Sequence, residues 1–120
     1  MRVTIYHNPK CSNSRRCLEI IRDEGFEPTI VEYLKYPLDV AALEKLIAKM
    51  RVPVGEVVRD KEPIYAELGL AKVNDYQLLK AVAAHPILLN RPIVVTEKGA
   101  RICRPPELVR EILPHLPDRE

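Results

Sequence analysis

Cys11 is the residue of this chain best placed to do chemistry. The stretch from Val3 to Arg22, VTIYHNPKCSNSRRCLEIIR, reads as a short strand, a tight loop and an amphipathic helix, with Cys11 at the junction. A cysteine there meets the unpaired N–H groups and the positive dipole end of the helix. Both favour thiolate over thiol, so a depressed pKa and nucleophilic reactivity are expected. Lys10, Arg15 and Arg16 are expected to add positive charge within about one helical turn. The alternative is a small residue that merely begins a helix.

A dithiol redox motif would carry its second cysteine three positions on, where this chain has Ser14. A hydroxyl cannot close a disulfide, so a redox cycle at Cys11 must draw its second thiol from elsewhere. Cys17 lies on the opposite side of the helix, within the apolar stripe, and is expected to be a buried structural cysteine. Cys103, inside a short strand, is expected to be the same. A phosphatase-type loop would need arginine where Cys17 stands, so it is absent. The four glycines are scattered and form no phosphate-cradling loop. His7, Cys11, Cys17, His85, Cys103 and His115 show no paired ligand spacing, and no metal site is expected.

The elements that must position Cys11 follow from periodicity and punctuation. Ser14, Cys17, Leu18 and Ile21 turn one face of the first helix inward, and Gly25 can end it. Pro28 opens a β-branched strand over 29–33, so strand, helix and strand form a parallel crossover unit. The middle is helical. Asp39 can cap a helix carrying Leu43, Leu46, Ile47 and Met50, and Pro53 can start a short piece toward Val58 and Arg59. Asn74 and Gln77 have capping-box spacing before Leu78, Leu79 and Val82, and His85-Pro86 ends that helix. The chain then returns to β at Ile93–Thr96, turns at Glu97-Lys98-Gly99 and continues as Ala100–Cys103. After Pro105-Pro106, Leu108, Val109, Ile112 and Leu113 predict a final amphipathic helix.

That order is α/β and thioredoxin-like, with a helical insertion of about residues 39–86 between a β-α-β half and a β-β-α half. At 120 residues it fits a single domain over residues 1–120 with a real core. Nineteen basic against seventeen acidic residues leave +2, too balanced for a general nucleic-acid or membrane-surface binder. The N-terminus lacks the apolar run of a signal peptide, and no stretch could span a bilayer. An odd count of three cysteines without framework spacing suits a reducing cytoplasm.

On such a scaffold three arginines gain meaning. Thioredoxin-like folds bring the residue before the third-strand proline close to the nucleophile. Arg91 could therefore sit over Cys11 with a cis Arg91-Pro92 bond, and the hairpin could bring Arg104 nearby. Guanidinium groups around a thiolate would seat a tetrahedral oxyanion through fixed charge and forked donors. Otherwise these, with Arg59, are surface arginines in a chain rich in basic residues. His7 could stabilise the thiolate, shuttle a proton, or satisfy a loop carbonyl.

Five segments, IYHNPKCSNSR, PTIVEYL, VVRDKEPIYAELGL, HPILLNRPIVVT and RICRPPE, occur in the order found in the glutaredoxin-coupled arsenate reductase family. The chain resembles that family from about Val3 to Leu113, departing from it at Lys10, where a small residue is common. The resemblance implies Cys11 as nucleophile and Arg59, Arg91 and Arg104 as oxyanion ligands. It implies His7, Asn8, Ser14 and Arg15 as supporting residues. It further implies arsenate as substrate, glutathione as co-substrate, glutaredoxin as partner, and no tightly bound cofactor. A glutathione-dependent thiol reductase of another substrate would need no converging arginines. A polymerase-binding regulator of the superfamily would carry the Cys-x-x-Cys switch that Ser14 replaces.

Overall fold

The computed structural model describes residues 2–114, so His115 lies outside the described residues. Four short strands form one sheet among them: β1 (Thr4–Tyr6), β2 (Thr29–Val31), β3 (Ile93–Thr96) and β4 (Gly99–Ile102), in the order β2-β1-β3-β4. The crossover through α1 (Ser12–Asp23) makes β1 and β2 parallel, with Ile5 opposite Ile30. β3 runs antiparallel to both neighbours, pairing Val94 with Ile5 and with Arg101. β3 is an inner strand buried on both faces, which is why Ile93 and Val94 follow one another without apolar–polar alternation.

Two compact units emerge from the backbone. Among the described residues one comprises 2–31 and 91–114; the other is Glu32–Asn90. In the first, Cys17, Ile20 and Ile21 of α1 join Val3, Ile5, Val94, Cys103, Val109 and Ile112 in one apolar core. Gly25 ends α1 at φ +95, a left-handed turn that a side chain would strain.

The second unit is helical: α2 (Val40–Met50), α3 (Pro63–Glu67) and α4 (Asp75–Ala84). Asp39 caps α2 by accepting the Ala42 N–H at 2.8 Å. Asn74 and Gln77 form the expected capping box on α4. Leu43, Leu46, Ile47 and Met50 are buried on α2, as their spacing predicts, and α4 packs against it. The piece after Pro53 is a single 3-10 turn, Val54–Val57.

Several expectations need correcting. The final helix is 3-10 over Pro106–Glu111, not α. Over so few residues an i, i+3 apolar spacing serves a three-residue turn as well as an α turn. The second strand stops at Val31, short of Tyr33, which is nonetheless buried. The fourth strand is Gly99–Ile102, so Cys103 lies just beyond it. α3 carries no buried residue, leaving no stripe by which periodicity could reveal it.

Candidate active site

The loop from β1 into α1 is tied down by its own polar groups. The Asn8 N–H donates to Ser14 Oγ at 3.0 Å, and the same hydroxyl lies 2.6 Å from His7 Nδ1. Asn8 also closes the loop from its other side. Its Oδ1 accepts the Lys10 N–H at 3.0 Å, and its carbonyl accepts the Cys11 N–H at 3.0 Å. Arg15 reaches back to the Pro9 carbonyl at 3.0 Å. His7, Asn8 and Ser14 are all buried, so the two bonds to the Ser14 hydroxyl are made away from competing water, whereas the Arg15 bond is exposed. Their effect is to hold Cys11 at the N-cap of α1 in extended backbone, φ −94 and ψ 122.

There Cys11 is half-buried. Burial pushes its thiol up, but several groups outweigh it: the Ser14 N–H, a hydrogen bond from the Arg91 side chain, the Asn13 N–H and the Arg91 charge. The net result is a thiol pKa below the ordinary cysteine value. This corrects one expectation. The cation acting on Cys11 is Arg91, while Lys10, Arg15 and Arg16 are not among the groups that lower it. Arg16 is engaged instead with Glu19 and lies 3.8 Å from Glu107.

Arg91 is buried and precedes a cis peptide to Pro92, as expected; Arg104-Pro105 is cis as well. Arg104 Nη1 donates to the Arg91 carbonyl at 3.1 Å, so the two arginines adjoin. The structure thus brings Arg91 to Cys11 and Arg104 to the backbone of Arg91. Arg59 belongs to the second unit. Its N–H donates to the Leu88 carbonyl at 2.7 Å, and its Nε lies 3.3 Å from Glu62 Oε2. That pairing was missed from sequence, although the i, i+3 spacing of Arg59 and Glu62 was its signal. The Asn13 and Ser14 N–H groups were foreseen only as anonymous donors of a helix start.

Cys17 and Cys103 are fully buried, as expected, and share a hydrogen bond that, with burial, pushes the Cys17 thiol far up. The Cys17 thiol is therefore no nucleophile at neutral pH. Among the described residues no group of three or more His, Cys, Asp or Glu side chains could hold a metal ion. Among them, too, no helix is long and apolar enough to cross a membrane.

A cysteine capping the first helix of a β-α-β unit, with a cis-proline at the start of an antiparallel hairpin, defines a thioredoxin-like fold. The chain belongs to the ArsC family, whose model matches residues 6–112. It is 52% identical over 116 residues to an arsenate reductase of Rhizobium meliloti, covering 95% of this chain and 83% of that protein. It is 53% identical over 114 residues to an arsenate reductase of Escherichia coli K12, covering 93% of this chain and 81% of that one. A solved structure of an arsenate reductase from Vibrio cholerae matches with a TM-score of 0.92 at 43% identity, covering 94% of this chain and 98% of that one.

Proposed function

We propose that residues 1–120 form a single arsenate reductase domain acting in the cytoplasm with glutathione and glutaredoxin as its reducing partners. The observation that carries this is the Cys11 thiolate in hydrogen-bond contact with Arg91, a nucleophile beside a forked cation. The relatives named arsenate reductase, similar over most of this chain, support the substrate.

The chemistry follows from these groups. The Cys11 thiolate attacks arsenic(V) and an oxygen leaves as water, giving a covalent S–As adduct. Arg91 and Arg104 hold the oxyanion and its developing charge, with Arg59 as the third ligand that the family resemblance assigns. A glutathione thiolate then attacks the Cys11 sulfur. An S–S bond forms and the S–As electron pair stays on arsenic, which departs as arsenic(III). Two thiols have supplied two electrons. Ser14 cannot resolve the resulting mixed disulfide, so glutaredoxin removes the glutathione by thiol exchange. His7, Asn8, Ser14 and Arg15 hold the loop that presents the nucleophile.

The test replaces Arg59, Arg91 and Arg104 singly by alanine. Each charge-assisted contact is worth roughly 1.5–3 kcal/mol, so kcat/KM for arsenate should fall by about one to two orders of magnitude. Alkylation of Cys11 by neutral iodoacetamide, at a pH where the thiolate is fully formed, should change little. Lysine replacements should recover part of the loss, keeping charge without the fork. Sulfate or phosphate should slow alkylation by occupying the seat. Three alanine variants that reduce arsenate normally would remove the oxyanion site and leave a thiol reductase of another substrate.

A further inference from the structure

The external thiol that Cys11 needs has to reach it, and α1 offers a track. A groove of about 510 Å³ runs along the outer face of this helix, lined by His7, Arg15, Leu18, Glu19, Arg22 and Asp23 among others. Arg15, Leu18 and Arg22 follow Cys11 at i+4, i+7 and i+11, so the nucleophile heads the same stripe. Arg15 and Arg22 are exposed on the side away from Cys17 and Ile20, while Leu18 between them is half-buried with its inner edge packed against the core. The charges along the groove alternate: guanidinium groups at 15 and 22, carboxylates at 19 and 23. Arg22 is now engaged with Glu27 in an exposed pair at 3.1 Å, an arrangement a ligand carboxylate can replace.

We propose that this groove is the binding site for the reducing tripeptide, a zwitterionic thiol with two carboxylates and one ammonium, of which glutathione is the example. The proposal rests on the reductase reading above and supplies the site at which its co-substrate is held. The γ-glutamyl end carries an ammonium and a carboxylate on one carbon, and Asp23 and Arg22 are its complement side by side. Arg22 stands ~16 Å along the axis from Cys11 at 1.5 Å per residue. Helical side chains lean toward the N-terminus and shorten that span. The long γ-glutamyl linkage then lies over Leu18, placing the glycyl carboxylate by Arg15 and the sulfur toward Cys11.

Two measurements decide it. The first titrates the full ¹⁵N-labelled chain with S-methylglutathione, which cannot form a disulfide. Amide shifts should move at His7 and along residues 15–23; silence there, with shifts elsewhere or none, overturns the proposal. The second compares Arg22→Glu and Asp23→Lys with the native chain in arsenate reduction. KM for glutathione should rise about fivefold, the effect of losing one exposed ion pair, with KM for arsenate unchanged. Reduction supported by uncharged dithiothreitol should be unaffected. An unchanged KM for glutathione in both variants overturns the site while leaving the reductase reading intact. A chain that reduces no arsenate yet binds S-methylglutathione in the groove overturns the reductase reading and retains the site.

Discussion

The Ser14 hydroxyl stands where a dithiol enzyme would carry its resolving thiol, and it spends its bonding capacity on the Asn8 N–H and His7 Nδ1. Ser14→Ala should therefore cost stability, about 1–3 kcal/mol for stranding a buried polar group, read as a lower midpoint in urea denaturation. Cys17→Ala and Cys103→Ala should instead retain most activity, since both thiols are buried away from the chemistry. A Cys17→Ala variant without activity would bring back an internal disulfide. The acidity of Cys11 gives a signed pH test. Arg91 favours the thiolate, so the pH profile of Cys11 alkylation lies below that of an ordinary thiol. Arg91→Ala should move it to higher pH; an unmoved profile would mean that the helix N–H groups act alone. Residue type and position were enough to single out Cys11 and Ser14. The cation beside Cys11 was not readable from proximity in sequence, because Arg91 arrives through the sheet rather than along the helix.

At the scale of elements, legibility followed length and burial. α1, α2 and α4 have a buried stripe and start signals that sequence reading can use, and Asn74 with Gln77 forms the expected capping box. Asn74→Ala should destabilise the fold by ~1 kcal/mol, measured by thermal or chemical unfolding, with the alkylation rate of Cys11 unchanged. α3 has five residues and none buried, so its one cue was Pro63 at the first helical position. The segment Pro106–Glu111 was read correctly as helical and amphipathic but not as 3-10. Its apolar spacing is common to both helix types over so short a run.

Across the described residues, the order β-α-β, helices, β-β was recoverable because Pro28, Pro92 and Gly99 mark the starts of β2, β3 and β4, and Asp39 and Asn74 cap α2 and α4. The helical elements between the two β segments run from Val40 to Leu88, within the compact unit Glu32–Asn90. The thioredoxin-like order was enough to expect Arg91 over Cys11, and the structure brings the Arg91 side chain to Cys11 and Arg104 to the Arg91 carbonyl. The central claim is that this thiolate reduces arsenate, and one coupled assay tests it most directly. With arsenate, glutathione, glutaredoxin, glutathione reductase and NADPH present, the native chain should consume NADPH in proportion to arsenate, and Cys11→Ser should not. Arsenate-independent consumption, or a Cys11→Ser variant as active as the native chain, would contradict it.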